Sequence, residues 1–251
     1  MTAWYTAGVW CVLGCAVLAG VALTFVTAPY GRHRRPGFGP EMDATAGWLV
    51  MESPAVLVFL AVYLTGENAW EPVPLILLCL WQAHYVQRTY VFPFLMRMKG
   101  KKSPLLTVTL AIAFNTVNAS LNAIAVSHSP WSHDTAWLAD PRFVAGVVLF
   151  GLGYAANRHS DWVLRTLRTP GETGYKVPRG GLFRWVSCPN YLGEIVEWCG
   201  WALAAWSLAG LAFAAFSIAN LAPRAVSHHR WYLETFADYP RRRRALIPWV
   251  L

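Results

Sequence analysis

The longest uncharged stretches of this chain decide what it can fold into. No charged side chain occurs before Arg32, and about 20 apolar residues in a helix are enough to cross a bilayer. The 251 residues are 56% hydrophobic and include 14 Trp, and the mean hydropathy is +0.35. Because an ordinary soluble domain is less apolar than this, the sequence predicts an all-α, polytopic membrane protein.

Seven transmembrane helices are predicted. Apolar stretches cover residues 4–28, 48–65, 73–95, 104–126, 143–161 and 195–222. The last is longer than one bilayer crossing, so we divide it near Ser207 into two helices joined by a tight turn. A secretory signal peptide would begin with basic residues, so we expect the first segment to stay in the mature protein. No fixed repeat or long polar linker is visible, and we expect one bundle over residues 1–251.

Basic residues indicate the orientation of this bundle. They cluster after the first, third, fifth and seventh predicted helices: Arg32, Arg34 and Arg35; Arg97, Lys99, Lys101 and Lys102; residues 165–184; and Arg241, Arg242, Arg243 and Arg244. All four clusters fall on one side if the helices alternate, and cytoplasmic loops are enriched in Lys and Arg. We therefore expect the N-terminus outside and the C-terminus in the cytosol, in a bacterial inner membrane or the endoplasmic reticulum.

A dense polar segment occupies residues 157–197. Two stripes recur there at helical spacing: Asn157, Asp161, Arg165 and Arg168, and then Asn190, Glu194 and Glu197. Such spacing places each stripe on one helix face, and the loop between them is rich in Gly and Pro. Amide, carboxylate and guanidinium groups suit ribose hydroxyls and a diphosphate, while glycine lets amides approach phosphate closely. The segment predicts a site for a polar, phosphorylated ligand on the cytosolic side.

Ionisable and amide side chains also occur inside the predicted spans, where they are costly and typical of functional sites. Glu52 either faces the bundle interior or reaches the interface from near a helix end. His84 and Arg88 share a face of the third span, beside Tyr85. Two further stripes are Asn115, Asn118 and Asn122, and Arg224, His228 and Tyr232. Hydrogen bonds between helices explain such residues when isolated, but repetition in several spans favours a lined cavity.

Three other kinds of site are not indicated. The net charge of +8 comes from residues beside apolar segments rather than a soluble basic face, so no nucleic-acid partner is expected. The five cysteines form no C-x-x-C pair, and His228 and His229 point about 100° apart on a helix, so we expect no metal. G-L-G-Y-A-A at residues 151–156 matches a dinucleotide fingerprint, but within an apolar helix it favours close helix packing.

Several motifs make the chain resemble the steroid 5α-reductases, membrane enzymes that use NADPH to reduce the 4,5 double bond of 3-oxo-4-ene steroids. Those in the first half are Y-G-R-H at residues 30–33, E-S-P at 52–54 and H-Y-x-x-R-T at 84–89. The second half contains N-x-H-S-D-x-x-L-R-x-L-R at 157–168, P-G-E-x-x-Y-K-V-P-x-G-G-L-F at 170–183, N-Y-L-G-E-I-x-E-W at 190–198, R-A-x-x-H-H-R-x-Y-L at 224–233 and D-Y-P-R-R-R-R-A-L-I-P at 238–248. The resemblance covers nearly the whole chain.

This resemblance implies two functional halves. Residues 1–126 would provide the substrate carbonyl site, with Glu52 and Tyr85 as catalytic residues, and residues 141–251 the NADPH site. The residues implied to bind NADPH are Arg35, Asn118, Asn157, Asp161, Arg168, Tyr175, Asn190, Glu194, Glu197, Arg224, His228, Tyr232 and Arg243. Arg168, Arg35, Lys101 and Arg243 are the candidates for pairing with the extra phosphate of NADPH. The chain departs from the family pattern at Met51, Asn118, Ala119 and Asn122, which leaves the steroid preference open.

The chemistry of an enone explains why an acid and a phenol are needed. Hydride added to the β carbon leaves negative charge on the carbonyl oxygen, and one donor to that oxygen in a dry site is worth about 3 to 4 kcal/mol. Tyr85 supplies a hydroxyl group. Glu52 would orient that hydroxyl, or donate a proton itself while protonated.

Other functions remain open. Within the reductases, another lipid enone or an enoyl thioester is a possible substrate. The isoprenylcysteine carboxyl methyltransferases have a related architecture and bind S-adenosylmethionine, but Glu52 and Tyr85 have no evident task in methyl transfer. A transporter would also contain polar intramembrane residues, but it would not need the basic, glycine-rich loop. We expect a steroid or related lipid as substrate, contact with membrane lipids and a monomeric state.

Overall fold

The computed structural model describes residues 3–27, 33, 37, 39–96, 98, 100–129, 134–169 and 171–251. Its α-helices are α1 (Ala3–Phe25), α2 (Ala44–Tyr63), α3 (Pro72–Val86), α4 (Phe92–Leu95), α5 (Leu105–Ser127), α6 (Pro141–Thr166), α7 (Pro189–Ala205) and α8 (Leu208–Thr235). A π-helical segment, Gln87–Val91, joins α3 to α4, and 3₁₀ turns at Thr135–Ala139 and Gly181–Arg184 precede α6 and α7. The predicted site residue Arg35 lies outside the described residues, as do Tyr30, Arg32, Arg34, Arg97, Lys99 and Pro170.

Four helices in the described part of the chain are long and apolar enough to cross a membrane: α1, α2, α5 and α8. Their length and composition support the prediction of a helical membrane protein. The number of crossings and the orientation of the termini stay predictions.

Polar caps mark where several helices begin. The Asp43 carboxylate accepts hydrogen bonds from the amides of Thr45 and Ala46 at 2.9 and 3.0 Å at the start of α2. Asp140 accepts from the Arg142 amide at 2.8 Å at the start of α6. These side chains satisfy amides that have no partner within the helix.

The long C-terminal apolar stretch divides where the sequence predicts. Trp206 follows α7 in the left-handed conformation, with φ of 40°, and the Ser207 hydroxyl accepts a hydrogen bond from the Gly210 amide at 3.1 Å. The left-handed residue ends one helix and the serine cap begins the next. α7 and α8 are therefore separate helices.

A short antiparallel pair of strands fixes one end of the bundle. β1 (Glu41–Asp43) pairs with β2 (Lys102–Pro104), with Met42 opposite Ser103. Because β1 leads into α2 and β2 into α5, the strands hold the starts of these two helices together.

Glycines bring α6 and α7 into close contact. A Cβ added at Gly146 or Gly153 of α6 would meet backbone atoms of α7, and one added at Gly193 or Gly200 of α7 would meet backbone atoms of α6. Small residues let helix backbones approach in this way. The predicted packing role of the 151–156 motif is confirmed at Gly153, whereas a Cβ at Gly151 would meet nothing within 4 Å.

An aromatic core fills the centre of the bundle. The ring centroids of Phe59 and Trp81 are 4.5 Å apart, those of Trp81 and Trp201 are 5.0 Å apart, and those of Trp198 and Phe213 are 4.5 Å apart. These rings come from α2, α3, α7 and α8. Aromatic rings in these arrangements add to the apolar burial, and they form a rigid base beside the polar residues of the spans.

Candidate active site

Tyr85 of α3 is held at the edge of the aromatic core. It is 4% exposed, and its ring centroid lies 4.8 Å from that of Trp81 and 5.5 Å from that of Trp198. Its hydroxyl is within electrostatic reach of Glu52 and Arg88. Packing against these two rings restricts the Tyr85 ring, so the phenol is positioned before any ligand arrives.

Glu52 of α2 faces the bundle interior, which is one of its two predicted positions. The Asn115 amide group donates to the Met51 carbonyl at 2.7 Å and lies 3.5 Å from Glu52 Oε2. The Glu52 carboxyl is also close enough to Arg88 and Glu194 for their charges to interact. The acid of α2 and the phenol of α3 are therefore both within electrostatic reach of Arg88.

Arg88 links these two residues to the C-terminal helices. Its guanidinium lies 3.6 Å from Asp161 Oδ2 and 3.9 Å from Glu194 Oε2, and it covers the Phe92 ring at 4.3 Å. Its backbone carbonyl accepts a hydrogen bond from Trp48 Nε1 at 2.9 Å. Arg88 belongs to the π-helical segment, a local irregularity that is frequent at functional sites.

His84 and Glu197 form a second buried pair. His84 Nδ1 lies 2.8 Å from Glu197 Oε1, and the Glu197 side chain has no exposed surface. Within the described part of the chain, Glu197 Oε2 and Asp161 Oδ2 have no hydrogen-bond partner. Carboxylate oxygens accept hydrogen bonds, and buried ones are normally satisfied. Both atoms are thus suited to a carboxamide or hydroxyl group of a ligand.

The two predicted polar stripes lie on neighbouring helices. The Asn157 amide group of α6 donates to the Asn190 carbonyl, in the first turn of α7, at 3.0 Å. The close glycine contact between these helices makes this bond possible. Asp161 and Glu194 follow one turn further along each stripe and reach the same arginine.

A cavity of about 260 Å³ opens at the end of the bundle where the basic loop lies. Its polar and aromatic lining residues are Thr27, His33, Lys101, Arg168, Tyr175, Lys176, Tyr191, Arg224, Ser227, His228 and Tyr232. Desolvation, with a further effect of the Arg168 charge, lowers the pKa of Lys101. An excess of positive charge in a concave site attracts anions.

Tyr191 joins this cavity to Arg88. Its hydroxyl accepts a hydrogen bond from Arg224 Nη2 at 3.0 Å and lies 3.1 Å from His228 Nε2. Tyr191 is also within electrostatic reach of Arg88. On the outer side His33 stacks on His228, with 4.9 Å between ring centroids. Tyr191 and its hydrogen-bond partners thus form a polar path from the cavity wall towards Arg88.

The loop after α6 forms one wall of the cavity. Arg168 Nη1 donates to the Gly174 carbonyl at 2.8 Å, and the Tyr175 ring meets Trp231 edge-on at 5.0 Å. Lys176 pairs with Glu172 at 2.7 Å. These contacts place Tyr175 and Lys176 over the opening.

Asn118 and Arg243, both predicted to bind the cofactor, do not line the first cavity. Asn118 belongs to a buried amide chain, in which Asn122 donates to Asn118 Oδ1 at 3.0 Å and Trp201 donates to Asn122 Oδ1 at 2.9 Å. That arrangement matches the helix-bridging interpretation of the asparagine stripe. Arg243 lines a second cavity, which shares no described lining residue with the first, and Arg35 lies outside the described residues.

Sequence reasoning did not single out Tyr191 or His33. Tyr191 directly follows Asn190 and precedes Glu194 by three positions, so the helical spacing of the polar stripe could have identified it. His33 meets His228 at a separation of 195 residues. No local pattern indicates a contact at that distance along the chain.

Comparisons with known proteins identify the family of the chain. A family model described as 3-oxo-5-alpha-steroid 4-dehydrogenase matches residues 101–251. The chain is 46% identical over 244 residues to 3-oxo-5-alpha-steroid 4-dehydrogenase 1 of Macaca fascicularis, covering 96% of this chain and 90% of that protein. It is 45% identical over 243 residues to the protein of the same name in Homo sapiens, covering 96% and 92%.

A plant protein is similar over the same length. Steroid 5-alpha-reductase DET2 of Arabidopsis thaliana is 41% identical over 236 residues, covering 92% of this chain and 90% of that protein. Matches that cover more than 90% of this chain include both of its halves. The chain therefore belongs to the 3-oxo-5-alpha-steroid 4-dehydrogenase family of oxidoreductases, the steroid 5-alpha-reductases.

Proposed function

We propose that this protein uses NADPH to reduce the 4,5 double bond of 3-oxo-4-ene steroids. The family membership supports the reaction type. The observation that carries the proposal is the position of Arg88, 3.6 Å from Asp161 and 3.9 Å from Glu194 of the C-terminal half and within electrostatic reach of Glu52 and Tyr85 of the N-terminal half. A carbonyl-binding acid and phenol thus lie next to a set of groups suited to a nucleotide.

The role of Tyr85 is to donate a hydrogen bond to the C3 carbonyl oxygen. When hydride adds to the β carbon, an electron pair of the enone moves to the carbonyl oxygen and gives an enolate. The enolate is then protonated at the α carbon. A donor fixed at the oxygen stabilises this charge without reorganisation. Glu52 orients the Tyr85 hydroxyl or donates to the same oxygen, and the burial of Tyr85, which is 4% exposed, keeps water from its hydroxyl.

The residues around the first cavity fit a nicotinamide dinucleotide phosphate. Lys101, Arg168, Lys176 and Arg224 line the cavity and supply positive charge for phosphates. Outside this lining, Asp161 Oδ2 and Glu197 Oε2 are acceptors with no hydrogen-bond partner among the described residues. The cavity, at about 260 Å³, is smaller than the roughly 300 to 1,000 Å³ of typical ligand pockets. It would therefore hold the phosphate end of the dinucleotide, with the polar path along Tyr191 leading inwards.

When bound, NADPH would supply the hydride. Asn157, Asn190, Glu194, Tyr175, His228 and Tyr232 would bind and orient it, and Arg168 with Lys101 would pair with its extra phosphate. Arginine is suited to this role because its planar guanidinium group can donate two parallel hydrogen bonds to a phosphate.

The proposal includes a topology. Seven helices cross the membrane as one monomeric bundle, with the N-terminus outside and both the C-terminus and the cofactor cavity in the cytosol. Residues 1–126 provide the substrate carbonyl site, and residues 141–251 provide the cofactor site. The basic residues of the cavity-lining loop support this orientation, since cytoplasmic loops are enriched in them. A steroid would reach Tyr85 from the surrounding lipid, in either a bacterial inner membrane or the endoplasmic reticulum.

The purified protein in nanodiscs provides the test. We expect loss of NADPH absorbance with 3-oxo-4-ene steroids, and transfer of deuterium from NADPH labelled at the nicotinamide C4 to the β carbon of the product. An enoyl thioester and S-adenosylmethionine serve as the comparison ligands. Turnover with the thioester alone would refute the steroid assignment, and calorimetric heat with S-adenosylmethionine alone would refute the cofactor assignment.

A further inference from the structure

A second cavity is lined in part by residues of the basic loop, among them Arg179 and Arg184. Its volume is about 760 Å³, and it is lined by Ala156, His159, Arg179, Gly180, Gly181, Leu182, Arg184, Trp185, Pro240 and Arg243. These lining residues include three arginines and a histidine but no Asp or Glu. The cavity is therefore strongly cationic.

Arg243 is the unusual member of this lining. It is 5% exposed, and its Nε and Nη1 atoms have no hydrogen-bond partner among the described residues. Its guanidinium lies 5.2 Å from the centroid of the Tyr239 ring, which compensates only part of the cost of burying a charge. A buried guanidinium with unsatisfied N–H groups is suited to an anion that accepts hydrogen bonds from them.

The residues that line the second cavity differ in how firmly they are held. Gly181, with φ of 49°, lies so close to the His159 ring that a Cβ there would overlap it, so the turn is fixed against α6. Arg184 follows in the same 3₁₀ turn and is exposed. Arg179 pairs with Asp238 at 3.8 Å, with both side chains exposed. Such an exposed pair is weak, so Arg179 can turn towards an anion.

We propose that this second cavity binds a phosphate group through Arg243, Arg184 and Arg179. The phosphate belongs either to a membrane lipid headgroup or to a free phosphate ion. The site is independent of the cofactor assignment, because its described lining residues are all different from those of the first cavity. It gives Arg243 a role other than the one implied for it by the family resemblance.

The test measures thermal unfolding of the full-length protein, purified in a neutral detergent, at increasing inorganic phosphate. Potassium chloride at equal ionic strength is the control for screening. We expect phosphate to raise the unfolding midpoint in a saturable manner, because a ligand that binds only the folded state stabilises it. No difference between phosphate and chloride, together with no response to the lipid probe described below, would refute the proposal.

Variants locate the site. Arg184→Gln, at an exposed position, should raise the half-saturating phosphate concentration about tenfold, since it removes a charge-assisted contact. Arg243→Gln should do the same, and Arg184→Gln alone suffices if Arg243→Gln fails to fold. Arg241→Gln is the matched control, because Arg241 is exposed, lies in the same segment and is not in the lining. An equal loss in Arg241→Gln would show a general charge effect and refute the site.

Two further comparisons identify the ligand. Arg168→Gln alters only the first cavity, so this variant should keep the phosphate response. The proposal would be contradicted if Arg168→Gln lost the response while Arg184→Gln kept it. Dihexanoyl phosphatidic acid, below its micellar concentration, is the lipid probe. A lipid headgroup would be identified if this probe reaches half-saturation at a concentration at least about tenfold below that of inorganic phosphate. The response to the probe should also depend on Arg184. Equal or weaker binding of the lipid would identify free phosphate.

Discussion

Tyr85 and Glu52 are the two residues on which the proposed chemistry depends most directly. We expect Tyr85→Phe and Glu52→Gln each to lower kcat by about 10² to 10³, the usual effect of losing one donor to a developing oxyanion. NADPH affinity should stay nearly unchanged, because neither residue lines the first cavity. Steady-state kinetics with varied NADPH and varied steroid separate the two effects.

Tyr90→Phe is the matched control for this prediction. Tyr90 lies five positions after Tyr85 and is 38% exposed, and its hydroxyl donates to Ser53 at 3.3 Å. Loss of this hydroxyl should leave kcat within about twofold, since a surface change of this kind has a small effect. Near-normal turnover in both Tyr85→Phe and Glu52→Gln would remove the proposed carbonyl site.

At the scale of the helices, the contact between α6 and α7 determines whether the two polar stripes meet. We expect Gly153→Ala to destabilise the protein by about 1 to 3 kcal/mol, the usual cost of overpacking, because its Cβ would overlap the backbone at Glu197. Gly151→Ala is two positions away and meets open space, so it should be neutral or slightly stabilising. Unfolding midpoints of the two variants in detergent would show the difference, and equal midpoints would contradict close packing at Gly153.

The loop over the cavity has its own dependence on pH. Hydrogen bonding to Lys176, and then to the Thr169 amide, lowers the pKa of Glu172 from 4.5 to about 2. A lowered pKa means that the ionised form stabilises the folded loop at pH values above about 4.5, and that this contribution disappears as the pH falls to about 2. We expect hydrogen exchange at the Thr169 amide, corrected for its intrinsic rate, to lose protection over this range. In the control variant Glu172→Gln, protection of the Thr169 amide should be low at every pH. Constant protection in the parent protein between pH 5 and pH 2.5 would contradict the hydrogen bond between Glu172 and this amide.

For the whole molecule, the main prediction is that the cofactor cavity faces the cytosol. Trypsin should cleave near Lys176, Arg179 and Arg184 only after sealed, right-side-out vesicles are opened, because the basic loop would lie inside. NADPH should slow this cleavage, since Tyr175 and Lys176 line the cavity. Cleavage in intact vesicles would show the opposite orientation. An unchanged rate with NADPH in opened vesicles would show that the loop does not cover the cofactor.

The sequence by itself determined the class of the protein, the positions of its helices and its family. The length of an apolar stretch is a local property. Counting apolar residues therefore predicts that the last stretch divides near Ser207 and that the third helical span continues to Leu95. The motifs are also local, and they identified the steroid reductase family before any contact was known. Glu52 could be selected because charged groups are rare inside membrane helices, whereas the role of Tyr85 was implied by the family resemblance.

Only the tertiary structure decided which polar residues meet. Periodicity places a side chain on a face of its own helix, but it does not say which helix that face will contact. The placement of Arg88 between Asp161 and Glu194 depends on the order and rotation of α3, α6 and α7. The separation of Arg243 from the first cavity depends on how the C-terminal segment returns to the basic loop. Packing between distant segments sets these relations, because helix rotation is fixed by the fit of side chains across the whole bundle.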